Sequence, residues 1–219
     1  KQIFGKQIKF LSSDPANESE GQIWYNSTTG TFRSTVTTEA WSSSAPLGTG
    51  RYQSGSFGIQ TAGVVLCGAY APSSTQSLVE EYNGTGWSSA TAYPAAGTSV
   101  SGAGTQTAGI AAGGSTPSIT TNAFSYDGSS WTAANALPYA ANNMASCGLA
   151  KTSVIYAIGR DGSSGNAGTN KSVTFDGTNF GAGPTLNTTR MYNTTSGSGT
   201  GTAGLVFGGF IDPSPNAMT

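Results

Sequence analysis

Two sequence anchors recur along this chain at the same period. The first is a strand of small residues closed by glycine: TAGVVLCG (61–68), TAGIAAGG (107–114), TSVIYAIG (152–159) and TAGLVFGG (202–209). These begin at Thr61, Thr107, Thr152 and Thr202, a period of 46, 45 and 50 residues. The second is an aromatic turn: YNGTGW (82–87), YDGSSW (126–131) and FDGTNF (175–180), whose starts lie 44 and 49 residues apart. Two anchors that keep step define one repeated unit. Several short strands per unit at this spacing predict an all-β fold of propeller type. Such a unit cannot bury its own faces and must stack on its neighbours.

Composition agrees. The 32 glycines in 219 residues are about twice the ordinary ~7% share, and 9% charge is far below the usual ~25%. Disordered chains share low hydrophobicity but are poor in aromatics. Here 9 Phe, 9 Tyr and 4 Trp recur at fixed places in the repeat, which requires a fold.

The second unit shows the expected order. Ser99–Gly104 is a polar, glycine-spaced run suited to an innermost strand. Thr107–Gly113 is a small apolar strand fit for burial on both faces, closed by Gly113 and Gly114. A loop with Pro117 follows, then a third strand, Asn122–Tyr126. Asp127-Gly128 supplies a hairpin turn, Trp131 sits on the return, and Pro138 ends it. Trp87 with Pro94, Phe180 with Pro184 and Trp41 with Pro46 repeat the pattern. One large aromatic per unit at one register predicts packing between units at Trp41, Trp87, Trp131 and Phe180. A stacking surface for sugars or bases is the competing reading.

These units resemble Kelch repeats, in which a glycine pair closes one strand and a Tyr and a Trp follow in the same blade. The resemblance covers 45–219 and implies about three and a half propeller blades of 45–50 residues. Gly113-Gly114 and Gly208-Gly209 keep the glycine pair, whereas the first and third units have Cys67-Gly68 and Ile158-Gly159, and Phe180 replaces Trp. After Gly209 only ten residues remain, against twelve from Gly114 to Tyr126. The expectation is therefore a fourth unit that continues past Thr219. The alternative is a small ring completed by the segment around Trp41.

Residues 1–44 lie outside the repeat and form a separate module. Gln7–Leu11 alternates as a strand does, and EGQIWYNSTTGTFR (20–33) reads as a hairpin. That hairpin resembles short G-x-I-W-Y-N segments of tailed-phage tail, fibre and other virion proteins. The resemblance implies attachment to other virion proteins or to identical chains. Ile23, Trp24, Tyr25 and Phe32 carry more apolar surface than an isolated hairpin can hide.

The remaining inventory excludes more than it offers. Histidine is absent, which removes the commonest general base, the commonest metal ligand and the copper chemistry of Kelch-type oxidases. The ten acids are dispersed, and Glu80 and Glu81, adjacent on a strand, point to opposite faces. DGSSGN (161–166) has one acid, too few oxygens for a calcium site. No catalytic residue, metal or cofactor is expected. Net charge is −1 with basic residues scattered singly, so nucleic acid is not an expected partner. No apolar run reaches the ~18–20 residues needed to span a bilayer. Cys67 and Cys147 are either two buried small residues or one disulfide between units. Asn-x-Ser/Thr triplets, at Asn17, Asn26, Asn83, Asn187 and Asn193 among others, matter only in a eukaryotic secretory pathway.

The expectation is a non-enzymatic fibre, spike or decoration protein on a tailed-phage surface, with loops free to bind a host receptor or glycan. A secreted or cell-surface bacterial adhesin is the alternative.

Overall fold

In a computed structural model the chain divides into two compact units, Lys1–Ser43 and Ser44–Thr219. Residues 9–16, 22–34, 43–70, 74–157, 159–162, 167–191, 200–206 and 209 are described, and they hold strands and turns without an α-helix. Trp41 and Gly208 lie outside them, as do Glu18, Glu20 and four of the six residues of the 161–166 loop.

The first unit is a three-stranded sheet of β1 (Lys9–Leu11), β2 (Ile23–Asn26) and β3 (Thr31–Ser34), in that order. β2 and β3 form the antiparallel hairpin read from the sequence, with Tyr25 opposite Phe32. Asn26 builds the turn: its Oδ1 accepts the amides of Thr28 and Thr29 at 3.0 and 3.1 Å. β1 pairs with β2 in parallel and sets Phe10 opposite Tyr25.

The second unit repeats a four-stranded antiparallel meander three times. The first repeat sheet is β4 (Gly55–Ile59), β5 (Ala62–Leu66), β8 (Val79–Tyr82) and β9 (Trp87–Ala90), with the short pair β6 (Ala69–Tyr70) and β7 (Ser74–Thr75) between β5 and β8. The second is β10 (Ser101–Thr105), β11 (Ala108–Ala112), β12 (Ala123–Tyr126) and β13 (Trp131–Ala133). The third is β15 (Ala145–Ala150), β16 (Ser153–Ala157), β19 (Ser172–Phe175) and β20 (Phe180–Ala182). It carries a small side ladder of β14 (Ala141–Asn142), β17 (Arg160–Asp161) and β18 (Ala167–Gly168). The fold is thus all-β and built of repeated antiparallel sheets, with β4 beside β10 and β10 beside β15. Among the described residues the sheets do not close into a ring.

The core lies between sheets and not within one. Phe57, Val64 and Leu66 of the first sheet meet Val100, Ala111 and Tyr126 of the second. Ile110 and Ala112 of the second meet Val154, Tyr156 and Phe175 of the third. Each fully buried side chain of this kind contributes about 1.5–3 kcal/mol, and it does so only when the neighbouring sheet is present. The small residues of β10 and β11, buried along most of their length, let the sheets approach.

Candidate functional site

The geometry of the repeat anchors decides which side chains remain available. In each aromatic turn the Asn or Asp side chain bonds its own loop. Asn83 Oδ1 accepts the amides of Thr85 and Gly86, Asp127 Oδ1 those of Ser129 and Ser130, and Asp176 Oδ1 those of Thr178 and Asn179. The amides of Ser130 and Ser129, with the serine hydroxyls, hold the Asp127 carboxyl well below the usual carboxylate range. The flanking aromatics oppose each other directly: Tyr82 with Trp87, Tyr126 with Trp131, Phe175 with Phe180.

Of each pair, the residue before the turn is the deeper in the second and third repeats. Tyr126 and Phe175 are fully buried, while Trp131 and Phe180 are half-buried, as Trp87 is. Trp131 lies against Tyr126 at 4.5 Å and Tyr93 at 4.9 Å between ring centres, and its indole N–H donates to the Thr91 carbonyl at 3.0 Å. Trp87 does the same to Ala45 at 3.1 Å. Phe180 packs on Phe175 and Tyr156.

The glycine pairs shape the backbone where one sheet meets the next. Gly113 and Gly114 adopt φ of 70° and 101°; a Cβ on Gly113 would run into the Ala141 carbonyl oxygen, which accepts the Gly114 amide at 2.9 Å. Cys67 takes Gly113's place in the first repeat at φ 58°, and its amide donates to Leu78 as that of Gly113 donates to Asn122. Gly68, Gly159 and Gly209 share the left-handed conformation. Cys67 and Cys147 are buried free thiols. Burial pushes the Cys67 thiol up to about 12, against the smaller opposing effects of Arg51 and the Gly97 backbone.

A polar groove runs along the first strands of the three sheets, about 310 Å³ in volume, between Ser54, Ser56, Ser101 and Ser146. At its rim three non-glycine residues at equivalent positions, Gln53, Ser99 and Asn143, have φ of 54°, 57° and 52°. The reason is structural. The Ser99 amide donates to the Gln53 carbonyl at 2.8 Å and the Asn143 amide to the Ser99 carbonyl at 3.1 Å, a relay that ties consecutive sheets. The Ser101 and Ser146 hydroxyls are likewise committed, to the Met144 and Gly102 carbonyls.

The carboxylates are committed too. Glu80 is buried, pairs with Arg51 at 2.9 Å and accepts the Gly48 amide at 2.6 Å. Glu81, on the opposite face, accepts the Tyr126 hydroxyl at 2.9 Å. Asp161 pairs with Lys171 at 2.7 Å. Asp14 accepts the Trp24 indole and the Asn26 amide at 2.9 Å each and pairs with Arg33 at 2.7 Å. Those bonds, that of Asn26 first and that of Trp24 next, hold its carboxyl below the usual range. All six acids of the described residues therefore hold structure together. No three His, Cys, Asp or Glu side chains gather as a metal set among the described residues.

In the first unit the four apolar hairpin residues divide between the two faces. Trp24 is buried, 3% exposed, over Asp14. Tyr25 lies on the other face between Phe10 and Phe32, each 5.1 Å away between ring centres, and those two are 72% and 64% exposed. Ile23 is exposed beside them in sequence. Asp14, Phe10 and the buried Glu80–Arg51 pair were not foreseen from the sequence. Asp14-Pro15 reads only as a strand breaker, and an ion pair 29 residues apart leaves no local pattern. No protein-family model and no curated protein matches the chain.

Proposed function

We propose that the chain is a non-enzymatic surface protein of a tailed-phage particle, a fibre, spike or decoration component. In this reading its repeat sheets are Kelch-like propeller blades that carry ligand-binding loops outward. The observation that carries the reading is a division of labour between the two units. In the repeats every described carboxylate is bonded to the scaffold, which favours a rigid display frame over acid–base chemistry. In the first unit three aromatics in tilted and edge-on contact stand together on one face, the kind of surface that marks a protein contact. The shared strand order and repeated turn geometry of the three sheets favour the blade reading.

The test is immunogold electron microscopy on purified particles and on cell envelopes, with antibody raised against the chain. Gold on the tail or capsid of tailed particles is the expected result. Gold confined to the cell wall would replace this reading with a bacterial adhesin.

A further inference from the structure

The loop that follows each glycine-closed strand differs among repeats: AYAPSSTQ (69–76), STPSIT (115–120) and RDGSSGNAGT (160–169). Between the second loop and Arg160 and Gly162, at the start of the third, there is a cleft of about 380 Å³. Ser115, Pro117, Ser118 and Ile119 line one side, and Asn142, Arg160 and Gly162 the other. Gly162 sets the width: a Cβ there would meet the Cβ of Ile119 at 3.2 Å and that of Ala140 at 3.1 Å. A side chain would drive the two walls apart.

Asn142 is the unusual residue. It is 5% exposed, and its Oδ1 has no hydrogen-bond partner. Buried amide oxygens are rarely left so, because the desolvation cost stays uncompensated. The fold does not ask for an amide at this position. Tyr52 and Thr98 occupy the same register in the other repeats, bridging Ala69 and Ser115 as Asn142 pairs with Arg160. The side chain is therefore spare to the scaffold and lines the cleft.

We propose that this cleft is a carbohydrate-binding subsite in which Asn142 Oδ1 accepts a sugar hydroxyl. The assignment rests on the reading of the repeats as a display frame that meets its ligand through loops. An acceptor without a donor calls for an O–H or N–H group. Ser118 adds a hydroxyl, and Ser115 another, which donates to the Pro117 carbonyl at 3.2 Å and keeps its lone pairs. Pro117 and Ile119 offer apolar surface to the C–H face of a sugar ring. The lining contains no carboxylate to favour a cation or amine, and one arginine is too little for a polyanion.

The probe is a printed array of bacterial-surface oligosaccharides, read with the full chain and with Asn142→Leu and Ser118→Tyr. The wild type should bind a subset of spots. Both variants should lose about tenfold or more in affinity for those spots. Asn142→Leu should melt at the wild-type temperature or above it, because it removes an unsatisfied buried oxygen. A lowered melting temperature would instead make Asn142 structural and overturn the assignment. So would wild-type binding that both variants retain, although the display reading would survive that result. Binding to no spot overturns the subsite. Loss of binding in the variants together with gold confined to cell walls would keep the subsite and sink the phage reading.

Discussion

The same hairpin device appears in both units with opposite results. In the first unit an Asn-led turn joins two strands so that Tyr25 faces Phe32; in the second repeat an Asp-led turn sets Tyr126 opposite Trp131. Locally the two are alike, yet Tyr126 is fully buried where Tyr25 is half-buried, and Trp131 is half-buried where Phe32 is 64% exposed. What differs is the neighbour. Phe57 and Val64 of the preceding sheet cover Tyr126, and Glu81 accepts its hydroxyl. The first unit instead spends its one described acid, Asp14, on fastening the opposite face through Trp24, Asn26 and Arg33. A turn fixes register, whereas burial depends on what stacks against the strand pair.

The largest effect that tests this contrast comes from removing a covered aromatic. Tyr156 is fully buried against the second sheet and donates to the Ile110 carbonyl at 2.9 Å. Tyr156→Ala should cost the repeat unit about 4 kcal/mol, and Trp131→Ala, half-buried, about 3 kcal/mol. Urea denaturation of each variant measures both. A near-neutral Trp131→Ala would show that the outer aromatic is not part of the inter-sheet packing.

How much of this was legible follows from the range of the interactions. The four strands of the second repeat fall where the pattern of small residues, loop and turn placed them, because period, turn chemistry and strand content are local. The pairing of Glu80 with Arg51 and the left-handed backbone at Gln53, Ser99 and Asn143 were not legible. The pair joins residues 29 apart within the first repeat, the left-handed backbone arises from contacts between repeats, and Gln or Ser carries no local sign of positive φ. Asn142 escaped for a related reason: an orphaned oxygen is a property of surroundings, not of the residue type.

A smaller effect separates the units by pH. The Asp14 carboxyl is depressed, so its contribution is complete above the ordinary carboxylate value of about 3.9 and is lost as pH falls through the lower folded value. Asp127 and Asp176 add the same acid sensitivity to the repeat turns. The alkaline side belongs to the repeats, where Cys67 lies. With its folded pKa raised to about 12, its contribution is complete below the ordinary thiol value and is lost as pH rises from there towards 12. Stability of the repeats should then fall steadily as pH rises above about 8.5. Thermal melts between neutral and alkaline pH measure this, and Cys67→Ala should flatten the slope. An unchanged slope would mean that the thiol is not buried as described. On the acid side, the chemical shift of the Trp24 indole proton should report protonation of Asp14, with a midpoint below the ordinary carboxylate value.

The smallest effect on stability, and the sharpest on the contrast, is expected at Phe10 and Phe32. Both are mostly exposed and touch chiefly Tyr25, so Phe32→Ser should change the stability of the first unit by no more than about 0.5 kcal/mol. Amide-exchange protection in β2 reads that unit without interference from the repeats. If the aromatic face exists to meet other virion proteins or identical chains, the Phe10→Ser/Phe32→Ser pair should leave the fold intact and remove the chain from assembled particles. Trp24→Ala makes the opposite case: it empties the buried face over Asp14 and should abolish protection in β2 whatever the partner. Loss of protection in the Phe10/Phe32 variant, as severe as that from Trp24→Ala, would show that both faces are structural. Full protection with undiminished particle incorporation would leave the aromatic face without a partner. Either result would remove the distinction between a covered and a waiting hairpin.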